Sequence, residues 1–303
     1  MKILVAGWFS FEDMGATAGD IIARDITCQW LDEAAVEWDV ADCSKFPFEG
    51  GVDWRRANPN DYTDLLFVCG PFGNGWPVTE LLQHFSSCRL IGINLSLMES
   101  LTAWNPFSLL IERDSSRKNN PDITFGGKPP VTPVAGIILS HKQKEYGKRS
   151  LHNAANAAIE KLLNTVDVAR VMIDTSLLNN HGELRTAGEI ESVIAKMDVV
   201  VTTRLHGTVL SIKNGIPVIP IDPIDGGAKI SQQVAALNWP ILFNASSIDE
   251  IKLVEAFRYC LTVQARLKAR ECSSMSVKRI HEIKQDFFQQ LFALPQKEFA
   301  YGN

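Results

Sequence analysis

Asp198-Val199-Val200-Val201-Thr202-Thr203-Arg204-Leu205-His206-Gly207-Thr208 is the stretch from which the architecture is read. Its first five residues are a mostly apolar, β-branched run of strand type. They lead through the turn into a short helical segment, Val209 to Asn214, that stops at Gly215 and Pro217. A strand that ends in an Arg-x-His-Gly turn and opens a helix presents unpaired backbone N–H groups and the positive end of the helix dipole to an anion. Arg204 adds a planar fork for phosphate or carboxylate. His206 adds a group that titrates near neutral pH and can donate or accept a proton. Gly207 removes the side chain that would hold a ligand off the backbone, and Thr208 completes the candidate binding set. The competing reading gives Arg204 a structural ion pair and His206 a capping role. So many suitable groups in one short turn favour a site.

Outward from this stretch the chain alternates strand and helix. In the first half, Ile3 to Gly7, Val36 to Ala41, Leu65 to Cys69 and Leu90 to Leu95 read as strands. Gly15 to Leu31 and Pro77 to Phe85 read as helices. Between Lys118 and Pro133, Asn119-Asn120-Pro121, Gly126-Gly127 and Pro129-Pro130 break regular structure. The alternation then restarts, with strands at Val134 to Ser140, Val168 to Asp174, Asp198 to Thr202 and Val218 to Ile221, and a short run at Ile241 to Phe243. Helices are expected at Ala154 to Leu163, Ala187 to Lys196 and Ile230 to Leu237. The tail from Ile248 to Leu294 reads as two helices interrupted around Ser273-Ser274. This pattern predicts two Rossmann-like α/β domains with mainly parallel sheets, residues 1–129 and 130–303.

In open parallel sheets, ligands bind beyond the carboxyl ends of the strands. That rule collects Trp8, Glu12 and Asp13 after the first strand, Gly70 to Trp76 after another, and His141 and Lys142 after the first strand of the second domain. It also collects Arg204 and His206, then Asp222 to Lys229. Lys229 opens a helix and can neutralise the same anion as Arg204 or pair with Asp225. Asp20 can serve as a base or as a helix-start carboxylate, and Asp13 can activate a hydroxyl or lie solvated. Trp8 can stack on a sugar ring or pack.

The same residues carry a resemblance. Thr203-Arg204-Leu205-His206-Gly207, then Gly215-Ile216-Pro217-Val218-Ile219 and Lys229, resemble the signature of the polysaccharide pyruvyl transferase family. In matching order lie Gly19-Asp20, Asp64 to Gly70, Arg113-Asp114-Ser115 and Pro121 to Phe125. The glycine loop departs from the family's pattern, reading Gly70-Pro71-Phe72-Gly73 in place of three successive glycines. The resemblance implies a GT-B-like arrangement in which the two sheets face an interdomain cleft. It implies an acceptor side in residues 1–129 and a donor-anion side in residues 130–303. The implied reaction moves pyruvate from phosphoenolpyruvate onto two sugar hydroxyls as a ketal, in cell-surface or exopolysaccharide synthesis. Arg204 and Lys229 then hold the donor anions, and His206 moves a proton or contacts phosphate. Asp13 or Asp20 serves as acceptor-side base, with Trp8, Gly70, Gly73, His141 and Lys142 lining the substrates. The acceptor is a glycan or lipid-linked saccharide. A glycosyltransferase using a nucleotide sugar and a non-catalytic glycan-binding or regulatory homologue remain the alternatives.

Bulk properties bound the rest. The 303 residues suffice for two cores, and 46% hydrophobic against 21% charged content is that of a folded globular chain. A net charge of −5 argues against nucleic acid as partner. Eight Lys or Arg against three Asp or Glu from Arg113 to Arg149 give a local basic bias, suited to a solvated loop or to drawing in an anion. Six cysteines show no ligand or C-x-x-C spacing, which fits a reduced cytoplasmic setting, and no cofactor or metal is expected. The glycines of residues 70–75 do not make a dinucleotide fingerprint. No apolar run approaches the ~20 residues that span a bilayer. Peripheral membrane contact and homo-oligomerisation stay open.

Overall fold

The computed structural model describes residues 1–128, 130–140, 144–178 and 180–294. The chain divides into two compact units, Met1–Pro130 and Val131–Asn303. In the first unit the order is β1 (Lys2–Ala6), α1 (Ala18–Glu33), β2 (Glu37–Val40), β3 (Asp64–Val68), β4 (Pro71–Phe72), α2 (Val78–His84), β5 (Arg89–Leu97) and β6 (Leu109–Asp114). The sheet runs β2-β1-β3-β5-β4, with β6 also on β5, and every pairing is parallel. In the second unit come β7 (Val134–Ile138), α3 (His152–Thr165), β8 (Ala169–Met172), α4 (Ala187–Ile194), β9 (Val199–Thr202), α5 (Leu205–Lys213) and β10 (Val218–Asp222). They are followed by α6 (Lys229–Ala236), β11 (Phe243–Asn244), α7 (Glu250–Cys260) and α8 (Val263–Ala293). This sheet, ordered β11-β10-β9-β7-β8, is parallel throughout.

Strand composition explains why both sheets are buried. Alternate residues of a strand point to opposite faces. In the first unit Leu4, Leu65 and Phe67 enter one core with Phe11, Trp54 and Phe72, while Ile3, Val5, Leu66 and Val68 enter the other with Ala23 and Cys28. A strand apolar on both faces needs cover on both, which parallel crossovers supply. The second unit packs Ile137, Val199, Val201, Ile219 and Ile221 with Ile159, Leu162 and Phe257. Among the described residues no helix is long and apolar enough to cross a membrane.

Four features differ from the sequence reading. The tail is not interrupted at Ser273-Ser274. The Ser273 hydroxyl donates to the Lys213 carbonyl (3.0 Å) and the Ser274 hydroxyl to the Arg270 carbonyl one turn back (3.0 Å), so both serines are accommodated inside α8. The break falls at Leu261-Thr262, where the Thr262 side chain accepts the Ala265 N–H and caps the new helix. Pro71-Phe72 is not a free glycine-type loop: it pairs with Ser96-Leu97 of β5, and Phe72 is buried against Phe67. Strand β6 has no counterpart in the sequence reading, because its burial is irregular and Leu109 and Ile111 stay exposed. Finally, α5 begins at Leu205, four residues before the expected start at Val209, so the Arg-x-His-Gly residues form the helix start itself.

Asp64, fully buried at the start of β3, receives Arg89 Nε (2.8 Å), Arg89 Nη2 (2.9 Å) and the Thr63 hydroxyl (2.6 Å). Burial opposes its charge, yet the Arg89 fork and the Thr63 hydroxyl outweigh that and hold the carboxyl below its ordinary 3.8. A depressed folded-state value stabilises above the unfolded value and loses that contribution as pH falls through the folded one. Asp64→Asn is therefore expected to lower urea-unfolding stability at pH 7 by roughly 1–3 kcal/mol. The difference from the parent should narrow as the pH drops below about 4. A constant difference down to pH about 2 would contradict this account.

Candidate functional site

Thr202 ends β9, and its hydroxyl does two things: it donates to the Ile138 carbonyl of β7 (2.8 Å) and accepts the Arg204 N–H (3.0 Å). Thr203 accepts the Ser140 N–H on its own hydroxyl (2.8 Å). These bonds clamp the ends of β7 and β9 together and set Arg204 as the N-cap residue of α5. No side chain caps this helix. Among the described residues the N–H groups of Leu205, His206 and Gly207 have no acceptor, so the first turn keeps its full capacity for an anion.

Arg204 is part-buried. Its Nη1 donates to Asp174 Oδ1 (3.0 Å) and to the Thr175 hydroxyl (2.9 Å). Both lie in the segment after β8, and Asp174 also accepts the Ser176 N–H (2.8 Å). The internal ion pair foreseen as the competing reading thus exists, but it occupies one guanidinium nitrogen. Nε and Nη2 make no hydrogen bond among the described residues. Asp174 orients the fork and leaves its other side open.

A pocket of about 310 Å³ lies at the carboxyl ends of β7 and β8, lined by Leu139, Ser140, Asn156, Met172, Ile173, Asp174, His181 and Gly182. The Asn156 side-chain oxygen is buried and unpaired among the described residues. Asp174, Thr175, Asn156 and His181 were missed by the sequence reading. The strand-end rule that selected the other loops would have found Asp174-Thr175, since they follow β8 in the same way. Asn156 and His181 carried no signal, because one lies within a helix and the other in an irregular segment.

His206 is exposed on the first turn of α5. Gly207 and Thr208 are buried, and the reason for glycine is internal: a Cβ at Gly207 would lie 2.2 Å from Thr202 Oγ1 and 3.1 Å from Ile138 Cγ2. The missing side chain lets the helix sit on the strand ends, a role distinct from ligand approach. The Thr208 hydroxyl is buried without a partner among the described residues. Lys229 opens α6 after β10, the neighbour of β9, so parallel topology brings it to the same sheet end as Arg204. Its loop is braced by Asp222, which accepts the N–H groups of Ala228 (2.8 Å) and Ser231 (3.0 Å). Arg149 completes the brace by donating to the Asp225 carbonyl (2.7 Å). Gly226 (φ 74°) and Gly227 (φ 78°) take the left-handed turn the loop requires. His141 and Lys142 lie outside the described residues.

The candidates of the first unit separate into two groups. Asp20 is the carboxylate of a capping box, accepting the Thr17 N–H (2.7 Å) and hydroxyl (2.8 Å). Its other oxygen points toward Gly70 and Cys69. Trp8 donates to the Pro71 carbonyl (2.9 Å) and packs over Gly70, where a Cβ would meet its ring at 2.4 Å. Asp13 is exposed. Glu12 is occupied by the Ser44 N–H (2.7 Å) and hydroxyl (3.0 Å). Trp8, Gly73, Asn74, Trp76, Met98 and Glu99 help to line an open pocket of about 350 Å³ at this sheet's carboxyl end.

Beside it, Arg113 reaches Asp122 (2.7 Å), Asp114 (3.2 Å) and the Ser96 hydroxyl (2.5 Å). Asn94 takes the Ile123 N–H (3.1 Å) and donates to Cys69 Sγ (3.4 Å). Burial, with the nearby Asp20 carboxylate, pushes the Cys69 thiol up to about 11, so it is no nucleophile near neutral pH. The Arg113 and Asp122 segments quoted for the resemblance are thus joined in one network. Among the described residues no three His, Cys, Asp or Glu side chains gather in a metal-binding group.

The molecule is of the class with two parallel-sheet α/β units, the second carrying an uncapped helix start and a half-open guanidinium at its ligand end. Residues 117–225 match the model of the family described as Polysaccharide pyruvyl transferase, a transferase family by that description. The matched segment contains Asp174, Arg204 and His206, and ends before Lys229. No curated protein matches the chain. Among solved structures, the chain is similar to the spinosyn rhamnosyltransferase SpnG complexed with spinosyn aglycone, at 11% identity and a TM-score of 0.33, over 90% of this chain and 95% of that one. It is also similar to MurG of Acinetobacter baumannii, at 10% identity and a TM-score of 0.32, over 93% and 100% of the two chains.

The Gly207 contact can be tested. Gly207→Ala is expected to cost roughly 1–3 kcal/mol of stability. Combined with Thr202→Ala, which removes the clashing atom, the loss should be smaller than the sum of the single changes, a coupling read by a double-mutant cycle. Strict additivity would remove the helix-to-strand contact as the reason for this glycine.

Proposed function

We propose that this protein is a pyruvyl transferase that moves pyruvate from phosphoenolpyruvate onto two hydroxyls of a sugar, in the synthesis of a cell-surface or extracellular polysaccharide. The observation that carries the reading is the uncapped start of α5 beside an arginine whose Nε and Nη2 are unengaged, within the segment that matches the family. Phosphoenolpyruvate bears a phosphate and a carboxylate, the two groups a guanidinium fork and a helix start recognise.

The chemistry needs a proton at the enol methylene, which makes the central carbon electrophilic. One sugar hydroxyl attacks that carbon and loses its proton. Inorganic phosphate leaves with its oxygen, and the second hydroxyl closes the ketal and loses its own proton. In the balance, one hydroxyl hydrogen ends in the new methyl group and the other leaves with phosphate. Arg204 and the α5 N–H groups hold the departing phosphate, with Lys229 supplying further positive charge at the same sheet end. His206, exposed on the first turn, delivers the proton or binds phosphate. On the acceptor side, Trp8 and Gly73 line the open pocket of the first unit, and Asp13 is the exposed carboxylate for base work. Asp20 serves as a helix cap that orients the Gly70 turn. Six unpaired thiols suit a reducing compartment.

Incubation with phosphoenolpyruvate and candidate saccharides should release inorganic phosphate. Release of nucleotide from a nucleotide sugar instead, or of nothing from either donor, would replace this reading with a glycosyltransferase or a binding protein. Arg204→Ala is expected to weaken donor binding about ten- to a hundredfold, the loss of one charge-assisted contact. Arg204→Lys should recover part of that, since lysine keeps the charge and loses the fork. His206→Ala should lower kcat by about 10²–10⁴ if the imidazole moves the proton, and should raise KM alone if it only contacts phosphate.

A further inference from the structure

Helix α8 carries one apolar stripe from end to end, and only its first part is covered. Ala265, Ala269 and Cys272 are buried against the second unit, where the helix packs on α5 and α7. Continuing with steps of three and four residues, the same line passes through Ser276 and then Ile280, Ile283, Phe287, Leu291 and Leu294. Steps of four, three and four repeat every eleven residues and keep the stripe on one side of a nearly straight helix. From Val277 to Leu294 every residue is exposed, including Ile280 at 62% and Phe287 at 57%. A stripe this regular is a packing surface in want of a partner, and lone exposed apolar residues would not line up so.

We infer that this part of α8 pairs with the same part of a second copy of the chain, antiparallel, across a twofold axis near residues 281 and 282. Charge selects the partner and the direction. Arg279 and Asp286 stand seven residues apart on one flank of the stripe, and Lys284 stands on the other. In an antiparallel pair like flanks meet, so Arg279 of each copy faces Asp286 of the other, twice by symmetry. In a parallel pair Arg279 would face Lys284 and be repelled. Arg279 has one contact within its own helix, to Glu282 (2.5 Å), and Asp286 has no ion pair among the described residues. The antiparallel register also sets Ile280 against Ile283 and the bulky Phe287 against the small Ser276. In this register the helices overlap from Ser276 to Phe287 of each copy, since beyond it a copy meets the part of α8 buried on the second unit, and an interface of this small size associates weakly. Charges along the segment nearly cancel, with Lys278, Arg279 and Lys284 against Glu282 and Asp286, an excess of a single positive charge. A helix built for an anionic lipid surface carries a clear basic excess instead.

The test is sedimentation velocity and light scattering on the full chain up to about 100 µM, a range that resolves interfaces of this size. The parent should give the mass of a dimer. Ile283→Asp with Phe287→Asp should give a monomer with an unchanged far-ultraviolet circular dichroism spectrum, since both positions are exposed. Arg279→Asp should weaken dimerisation at least about fivefold, because two modest ion pairs become two repulsions. Arg279→Asp with Asp286→Arg should restore it. A parent that stays monomeric, a dimer that survives the double aspartate change, or failure of the swapped pair to recover would each overturn the proposal. So would a monomer that co-sediments with phosphatidylglycerol vesicles through Phe287, which would make the stripe a lipid-binding face.

Discussion

The helix–strand contact at Gly207 is the constraint on which the geometry of the second unit's ligand end depends. Because residue 207 has no Cβ, the start of α5 can sit on Thr202 and Ile138, and the Thr202 hydroxyl can tie β7 to the Arg204 N–H. One close approach thus fixes three things together: where the strand stops, where the helix starts, and where the Arg204 side chain departs. A larger residue at 207 would tilt the helix and move the uncapped N–H groups away from the guanidinium. The preorganisation is structural and precedes any ligand.

Arg204 keeps an ion pair and an open side of its guanidinium at once. Asp174 and Thr175 take one of its nitrogens, which restrains a long side chain that would otherwise lose rotamer freedom on binding an anion. The basic bias between Arg113 and Arg149 resolves differently. Arg113 and Arg117 pair with carboxylates of their own unit, and Arg149 braces the carbonyls of the Asp222 loop. In these three places a run of positive charge in the sequence became scaffolding, Arg113 and Arg117 with acceptors nearby in the chain and Arg149 with a loop from a distant segment.

The sheets were legible in the sequence because parallel strands buried on both faces leave continuous apolar runs, as at Val199 to Val201 and Leu65 to Val68. The uncapped helix start was legible because Arg204, Leu205, His206 and Gly207 are neighbours in the chain and a helix start is a local feature. Strand β6 was hidden because its exposed, irregular face leaves no periodicity. The serines at 273 and 274 misled because a mid-helix serine is harmless once its hydroxyl finds a carbonyl, and the Lys213 carbonyl that serves Ser273 is sixty residues away.

What the sequence by itself determined was the alternation of elements, the restart of that alternation after the proline- and glycine-rich segment, and the identity of the Arg204 turn. Each depends on contacts within a few residues or on simple burial. What only the tertiary structure decided was the company these residues keep. Asp174 beside Arg204 and Phe72 in the sheet both arise from segments far apart in the chain, and the exposure of the α8 stripe depends on what else packs there. Hydrogen-bond partners and solvent exposure are properties of the packed molecule, so the residues that set them leave no mark in local sequence.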